Sequence, residues 1–457
     1  MLTIEVLDTS DLGDRSYVAH DGAQAVVVDP QRDIDRVEAV LAERGLRCVA
    51  VLETHIHNDY VTGGHELARR TDAAYVVNAA DPVAFEREPV TDGQVLTHGR
   101  MRITALATPG HTVTHLAYYL EDTAGETDPA LFSGGSLLFG SVGRTDLVDA
   151  DRTEELTRAQ YHSARRLAEL PGETRLFPTH GFGSFCSSGS ASGGEASTIA
   201  QERTRNDALT ATDEDAFVET LIANLTAYPA YYAHMGPRNL AGPGPVDLSA
   251  PEPVDPQQLR RRIDAHEWVV DLRTRTAYAA EHLRGSIGIE LGTQFSTYLG
   301  WLIPWGSSLT LVGDSAEQVA QAQRQLVRIG LDRPDGAAVG TPRELATGPA
   351  DLASYRVVSF EDLAAVPDAE RAGFTVLDTR RDDERAQGAI PGSAHIPLHA
   401  LLERLDEVPD GPLWVHCASG YRASIAASLL TRAGHEVVLV ADDFSAAEEL
   451  GLVAEPS

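Results

Sequence analysis

Three short segments in the first 180 residues carry side chains of the types that bind metal ions. THIHNDYVTGG contains His55, His57 and Asp59 and follows the apolar run CVAVLE. Alternate residues of an extended segment point to the same side, so these three form a compact set of ligands. ATPGHTVTHLAYYL adds His111 and FPTHGFGSFC adds His180, each where a β-rich run breaks into a loop. An isolated histidine is more often a core or surface residue, but this set at strand ends predicts a metal site.

A different chemistry is indicated near the end of the chain, in GPLWVHCASGYRASIAASLLTRAG. An apolar strand ends at Cys417, four small or polar residues follow, and Arg422 opens an amphipathic helix. Such a loop directs backbone N–H groups and a helix N-terminus at one point, which stabilises a thiolate and any anion bound to it. The Cys-x4-Arg spacing predicts a cradle of the size of a persulfide sulfur. The alternative is a structural cysteine, because free cysteine is among the most buried residue types.

The elements that must position the histidines alternate short β-rich runs with a few amphipathic helices. The runs include AQAVVVDP, LRCVAVLET, AAYVVN, MRITALATP, HLAYYL and ALFSGGSL. Helices are predicted over Asp33–Glu43, Thr153–Glu169 and Asp213–Leu225. This pattern favours a layered α/β domain with much antiparallel sheet.

The last two hundred residues contain an internal repeat. VVDLRTRTAYAAEHLRGSIG and VLDTRRDDERAQGAIPGSAH align at one constant offset, with Asp271 on Asp378 and Arg273 on Arg380. Each unit then runs into a buried-strand signal, LTLVG or LWVHC, and a following helix, which predicts two copies of one small parallel α/β domain. We therefore expect a first domain at 1–238, a Gly/Pro-rich linker at 239–254, and repeat domains at 255–345 and 356–457.

Composition limits the function classes further. The 457 residues carry a formal charge of −31, which disfavours a nucleic-acid partner because phosphates are bound by basic surfaces. Three dispersed cysteines do not form a disulfide framework and indicate a reducing compartment. The sequence shows neither a secretory leader nor an apolar run long enough to cross a membrane, so we expect a cytoplasmic protein without a membrane partner. Homo-oligomerisation is compatible with this composition and stays open.

The second repeat, over about 356–457, resembles the rhodanese family of sulfurtransferases in its DTR strand end, GAIPGSAHIPL segment and CASGYR loop. The resemblance implies that Cys417 is the nucleophile that accepts sulfane sulfur, with Arg422 as its catalytic partner. Asp314 and Val319 replace these two residues in the first repeat, which implies a rhodanese-like domain that cannot carry sulfur. The resemblance assigns substrate binding to the residues between the cysteine and the arginine: Ala418, Ser419, Gly420 and Tyr421.

The first domain resembles the metallo-β-lactamase superfamily, and within it the persulfide dioxygenases, through THIHND, TPGHTVTH, SGGSLLFGSVGRTDL and PTHGFGSFC. Bacterial fusions of that family share the arrangement expected here, with two rhodanese-like domains of which only the second keeps its cysteine. The resemblance implies an αββα sandwich with metal at one edge, followed by two small parallel α/β rhodanese-like domains. It also implies a substrate-binding role for Arg144.

Family members usually bind one Fe(II) through two histidines and an aspartate. His55 and His111 match the histidines, but Gly135 replaces the aspartate and Tyr60 replaces the last histidine of the HxHxDH motif. We therefore expect weak or absent iron, or zinc in its place, unless another member of the ligand set fills the vacancy. That set is His55, His57, Asp59, His111 and His180.

The resemblance implies a sulfur-metabolism enzyme that oxidises a persulfide with O2 to sulfite and transfers sulfur at Cys417. Its small-molecule partners would be persulfides, thiosulfate, and glutathione or another low-molecular-weight thiol. One alternative is a sulfurtransferase whose first domain is a redox-inactive scaffold. Another is a metallo-hydrolase acting on a thioester, and a third is a non-enzymatic sulfur sensor.

Overall fold

The computed structural model describes residues 1–188 and 196–454, which divide into two compact units. The predicted linker at 239–254 spans the border between them. A short segment of the second half of the chain, which sequence reasoning did not single out, belongs to the first unit. That unit comprises Met1–Asp247 and Leu326–Asp332, and the second comprises Leu248–Gln325 and Arg333–Ser457.

Two six-stranded mixed sheets form the first unit. In the first sheet, two antiparallel pairings are followed by three parallel ones. In the second, the pairings are antiparallel except for one parallel pairing, between the strands Ala130–Gly134 and Arg175–Pro178. The first sheet, in spatial order, contains β1 (Thr3–Thr9), β2 (Asp14–His20), β3 (Gln24–Val28), β4 (Arg47–Leu52), β5 (Ala74–Asn78) and β6 (Glu88–Val90). The second contains β7 (Val95–His98), β8 (Met101–Ala107), β9 (Leu116–Asp122), β10 (Ala130–Gly134), β11 (Arg175–Pro178) and β12 (Ser197–Thr198).

Helices cover the outer faces of both sheets. One apolar core lies between the sheets, with Val28 and Leu52 from the first sheet packed with Tyr118 and Phe132 from the second. The parallel strands β3 to β5 are near-continuous apolar runs because both of their faces are covered. This αββα layering is the predicted one. The helices of the unit are α1 (Asp35–Arg44), α2 (Gly64–Thr71), α3 (Thr153–Leu167), α4 (Ile199–Arg205), α5 (Asp207–Thr210), α6 (Glu214–Ala223) and α7 (Tyr232–Ala241).

The second unit contains two parallel sheets and a two-stranded antiparallel pair. Its strands are β13 (Trp268–Asp271), β14 (His282–Leu283), β15 (Ile287–Gly288), β16 (Leu309–Gly313), β17 (Gly336–Val339), β18 (Leu352–Ala353), β19 (Arg356–Val358), β20 (Thr375–Asp378), β21 (Ala394–His395), β22 (Leu413–His416) and β23 (Val437–Val440). Its helices are α8 (Pro256–Asp264), α9 (Arg275–Ala280), α10 (Phe295–Leu302), α11 (Ala316–Arg328, whose last turn belongs to the first unit), α12 (Pro342–Leu345), α13 (Phe360–Ala364), α14 (Asp368–Arg371), α15 (Asp382–Ala386), α16 (Tyr421–Arg432) and α17 (Phe444–Glu449).

The two parallel sheets share a strand order, which gives the sequence repeat a structural counterpart. One sheet runs β15-β13-β16-β17, and the other runs β21-β20-β22-β23 with β19 added at the edge. In each, the arginine two residues after the first central strand forms a bidentate pair with the aspartate that ends it. The Nη2–Oδ2 distance is 2.6 Å for Arg273 and Asp271 and 2.7 Å for Arg380 and Asp378.

No helix in the described parts of the chain is long and apolar enough to cross a membrane.

Candidate functional site

The structure brings all five predicted metal ligands together at one edge of the sandwich. The segment with His55, His57 and Asp59 follows β4, His111 lies between β8 and β9, and His180 follows β11. All five are at most 1% exposed. The imidazole centroid of His55 lies 4.1 Å from that of His57, 4.7 Å from that of His111 and 5.3 Å from that of His180. Three separate sequence segments thus converge on one buried cluster.

Three of the histidines are oriented by a hydrogen bond at Nδ1. His55 Nδ1 lies 2.9 Å from the Thr54 hydroxyl, His111 Nδ1 donates to the Arg144 carbonyl at 2.7 Å, and His180 Nδ1 lies 2.9 Å from an Asp14 oxygen. A proton held at Nδ1 leaves the Nε2 lone pair available for a metal. The Nε2 atoms of His55 and His180 lie 3.4 Å apart.

Burial sets the protonation of the cluster. It lowers the pKa of His111 to about 3 and that of His55 well below its usual value, and the neighbouring histidines lower both further. These rings are therefore neutral, as metal ligation requires. Burial also opposes a charge on His57, but the carboxylates of Asp29 and Glu53 outweigh it and raise the pKa of His57 to about 9.

Several buried polar atoms of the cluster have no hydrogen-bond partner in the described residues. They are Oδ1 of Asp59, one oxygen of Asp14 and Nδ1 of His57, whereas Oδ2 of Asp59 pairs with Nδ1 of His180 at 3.2 Å. Unpartnered buried polar atoms are costly, so a group of them points to a ligand that satisfies them. With the neutral imidazoles beside them, these residues fit a divalent metal ion.

Position 135 does not supply the carboxylate that the family resemblance implies. A Cβ on Gly135 would lie 2.3 Å from Cδ2 and 2.8 Å from Nε2 of His111, so the imidazole occupies the space of a side chain there. The backbone N–H of Gly135 donates to Nε2 of His115 at 3.0 Å. The substituted Tyr60 is fully buried, and its hydroxyl lies 2.9 Å from Nε2 of His57.

Sequence reasoning missed three acidic residues of the site, Asp14, Asp29 and Glu53. Asp14 begins β2, where nothing in the sequence marks it as a partner of His180. Asp29 follows β3 and accepts hydrogen bonds from the Thr54 N–H at 2.7 Å and the Thr54 hydroxyl at 2.8 Å, beside Nε2 of His57 at 3.2 Å. Its place at the end of the buried run VVVD was a usable signal, because the histidines also follow strand ends.

Cys186, which follows His180 by six residues, also reaches the cluster. Its sulfur and one nitrogen each of His111 and His180 lie within 4.8 Å of one another. Burial is the main cause that raises the pKa of Cys186, and the carboxylates of Asp59 and Asp14 raise it further. The thiol is therefore protonated unless a cation binds beside it.

Arg144 lies next to the cluster with its guanidinium bonded within the protein. It forms a bidentate pair with Asp146 at 2.7 and 2.8 Å and donates to the carbonyls of Phe185 and Thr226. Its own carbonyl accepts from His111. Arg144 therefore positions a histidine, and the predicted contact of its side chain with substrate would require these bonds to rearrange.

In the second unit, Cys417 lies where β22 gives way to α16, as predicted. The side chain is 1% exposed. The loop turns at Gly420, which has a φ of +82°. A Cβ at this position would lie 2.9 Å from Cα of Ala441, so a larger residue is excluded. The Ala418 carbonyl accepts from the Phe444 N–H at 2.8 Å. Ser419 is exposed at the tip of the loop.

Arg422 projects from the first turn of α16 and pairs with Glu384 of α15. The contact is bidentate, with Nη2 2.7 Å from Oε1, and the side chains are only 10% and 22% exposed. Both terminal guanidinium nitrogens of Arg422 therefore donate to Glu384.

Helix α10 of the first repeat packs over the Cys417 region. All of its residues are buried. The Tyr298 ring lies 5.9 Å from that of Tyr421, and the Trp301 ring stacks on His399 at 5.0 Å. The Tyr421 hydroxyl donates to the Glu290 carbonyl at 2.8 Å, which ties the cysteine loop to the first repeat.

The corresponding loop of the first repeat carries no thiol. Asp314 is exposed and Val319 is 4% exposed. The Asp314 N–H donates to the Gln318 side chain at 2.8 Å, so a backbone donor that could face an anion is already used. This loop lacks the groups needed to hold and transfer sulfur.

Comparison with known proteins assigns families to both regions. The family described as the metallo-beta-lactamase superfamily matches residues 12–180, and that described as the rhodanese-like domain matches residues 360–449. A hydroxyacylglutathione hydrolase of Prochlorococcus marinus (strain MIT 9211) is 34% identical over 161 residues, which cover 34% of this chain and 60% of that protein. One from Acidiphilium cryptum is 37% identical over 166 residues, covering 36% and 62%. The chain thus spans about three-fifths of the length of these curated relatives.

Among solved structures, a metallo-beta-lactamase from Staphylococcus aureus subsp. aureus COL has a TM-score of 0.67 and 25% identity and covers 74% of this chain and 99% of its own. ETHE1 from Myxococcus xanthus is 28% identical, covers 52% and 98%, and has a TM-score of 0.45. The chain therefore contains a metallo-β-lactamase-superfamily domain and a C-terminal rhodanese-like domain.

Proposed function

We propose that the protein is a two-site sulfur enzyme, with a persulfide dioxygenase-like site in the first unit and a sulfurtransferase site at Cys417. The observation that carries the proposal is the presence of a Cys-x4-Arg loop between a parallel strand and a helix in the same chain as a buried histidine and aspartate cluster. The first reaction is RSSH + O2 + H2O → RSH + SO3²⁻ + 2H⁺. Its product sulfite is an acceptor for sulfane sulfur at the second site.

In the transfer reaction, the Cys417 thiolate attacks the outer sulfur of a donor such as thiosulfate. The donor S–S bond breaks, sulfite leaves with the electron pair, and Cys417 becomes a persulfide. An acceptor thiolate then attacks the terminal sulfur and restores the Cys417 thiolate. The N-terminus of α16 and Arg422 stabilise the negative charge of the donor and of the persulfide.

The residues of the first site prepare it for a metal. Bound iron would supply the activation of dioxygen. Thr54, Asp14 and the Arg144 carbonyl fix the rings of His55, His180 and His111. Burial keeps the lone pairs of His55 and His111 free and excludes bulk water, whereas the carboxylates of Asp59 and Asp14 raise the pKa of His180, which must lose a proton to bind a metal. Because Gly135 supplies no acid, we propose that Asp59 is the carboxylate nearest to the metal, and that zinc competes with iron for this nitrogen-rich set.

We further propose that residues 255–345 form a second rhodanese-like domain that does not transfer sulfur. The shared strand order and the matched Asp–Arg pairs support this assignment. Its role is to cover the Cys417 region with Tyr298 and Trp301, which limits the size of donors and acceptors.

Cys417→Ser tests the division of labour. We expect the variant to lose thiosulfate-dependent thiocyanate formation and to keep persulfide-dependent O2 uptake by iron-loaded protein. Cys48→Ala is the matched control, because Cys48 lies in the apolar core beside α1 and should retain both activities. Retained thiocyanate formation in Cys417→Ser would refute the transferase assignment. Transfer without any O2 uptake would indicate that the first unit is a scaffold.

A thioester hydrolase is the second candidate, because the curated relatives named above are hydroxyacylglutathione hydrolases. Tyr60 and Gly135 weigh against it, since both replace residues that usually bind the second metal ion of such a site. Hydrolysis of an acylglutathione by zinc-loaded protein, with two zinc ions per chain and no dependence on O2, would favour this candidate.

A further inference from the structure

Cys186 is held rigidly at the metal cluster although no family motif assigns it a role. Its N–H donates to the Ser184 hydroxyl at 3.2 Å, and its carbonyl accepts from the Arg144 N–H at 2.9 Å. The Arg144 guanidinium also donates to the preceding carbonyl, that of Phe185, at 3.1 Å. Cys186 is 1% exposed, so its thiol lies in the protein interior.

The side chains around the sulfur are of types that bind metals. The Cys186 sulfur and one nitrogen each of His111 and His180 lie within 4.8 Å of one another, and so do ligand atoms of Asp14, Asp59 and His180. His180 belongs to both groups. One oxygen of Asp59 pairs with Nδ1 of His180 at 3.2 Å, whereas its other oxygen and one oxygen of Asp14 have no hydrogen-bond partner among the described residues. These buried, unpartnered oxygens point to a cation independently of the cysteine.

Position 135 contributes no anionic ligand to the cluster. The His111 ring fills the space beside the backbone of Gly135, so no carboxylate reaches the cluster from there. Cys186 offers an anionic sulfur beside His111 and His180, and a cysteine thiolate is a common ligand of zinc.

We propose that Cys186 is a metal ligand, its thiolate binding a divalent cation together with His111 and His180. The thiol loses its proton to solvent as the metal–sulfur bond forms. Zinc–ligand bonds of about 2.0–2.3 Å place the ligand atoms of a tetrahedron roughly 3.3–3.7 Å apart. The ligand atoms of Cys186, His111 and His180, which now lie within 4.8 Å of one another, reach that spacing by inward shifts of about 1 Å or less. A set of nitrogen and sulfur ligands favours Zn²⁺, Co²⁺ or Fe²⁺ over Mg²⁺ or Ca²⁺.

Cobalt(II) is a direct probe because a thiolate bound to it gives a near-ultraviolet charge-transfer absorption that imidazole and carboxylate ligands do not give. Full-length, chelator-treated protein titrated anaerobically with Co²⁺ should develop this band together with the visible bands of bound cobalt. Cys186→Ser should lose the charge-transfer band and bind Co²⁺ at least about 100-fold more weakly, since even the loss of a residue that only orients a ligand costs 10–100-fold.

The control is a double variant, Cys48→Ala with Cys417→Ser, that keeps Cys186 as its only cysteine. The band should persist in this variant at unchanged intensity, which keeps the test valid if Cys186→Ser fails to fold. Three results would overturn the inference. They are cobalt bound to this variant without the band, a band that survives in Cys186→Ser, and the absence of any cobalt binding. It concerns the same site as the proposed function but requires only that the site bind a metal. A band without persulfide-dependent O2 uptake would therefore refute the proposed oxidation and leave the ligand assignment standing.

Discussion

Replacing Glu384 with glutamine tests whether this carboxylate competes with the donor for Arg422. The pair is bidentate and mostly buried, and a charge-assisted contact of this kind contributes about 1.5–3 kcal/mol, or roughly 10- to 100-fold in an equilibrium constant. Glutamine loses the negative charge but keeps an amide oxygen, which can still accept the Arg381 N–H at the start of α15. We therefore expect Glu384→Gln to lower the half-saturating thiosulfate concentration by about tenfold.

Arg422→Ala should act in the opposite direction and raise that concentration by about one to two decades. The assay is the initial rate of thiocyanate formation against thiosulfate at fixed cyanide and ionic strength. Asp383→Asn is the matched control, because Asp383 lies on the same helix and pairs with Arg381 at 3.0 Å. It should change the half-saturating concentration less than twofold. If Glu384→Gln instead weakens donor binding as Arg422→Ala does, Glu384 positions the arginine and does not compete with the anion.

Two further predictions concern stability. Gly135→Ala should lower the free energy of unfolding by about 1–3 kcal/mol, because its Cβ would overlap the His111 ring. Gly244→Ala is the control, because a Cβ there meets no atom within 4 Å and should change the stability little. Equal losses of stability in urea unfolding would show that the His111 ring does not restrict position 135. Burial lowers the pKa of His282 to about 4, so as the pH falls this histidine takes up a proton in the unfolded protein before it does so in the folded protein. The stability that depends on this neutral ring is complete above about pH 6.5 and falls by up to about 3 kcal/mol as the pH drops to 4. His282→Gln should flatten that part of the unfolding profile, and an unchanged slope would exclude this histidine as the cause.

The sequence predicted those features that depend on local pattern. Apolar runs placed the strands, and the polar residues that follow them at His55, His111 and His180 converged because the strand ends share one edge of the sandwich. The Cys417 loop was readable because a buried strand, four small or polar residues and a helix are consecutive in the chain. The repeat was readable because Asp271 and Asp378 end equivalent strands.

The remaining features depend on contacts between residues far apart in the chain. Within the first unit, Arg328 forms ion pairs with Asp11 and Asp33, and no local pattern encodes contacts across about three hundred positions. The partner of Arg422 could not be chosen from several nearby acids. The proximity of Cys186 to His111 could not be predicted from the sequence, because it is a property of the folded loop.

The most direct test of the central claim is the stoichiometry of oxygen uptake and sulfite formation by anaerobically purified, iron-loaded protein supplied with glutathione persulfide. The account predicts iron-dependent uptake with one O2 consumed per sulfite released, measured in Cys417→Ser so that the second site does not consume the sulfite. No persulfide-dependent O2 uptake by protein that demonstrably holds iron would contradict it.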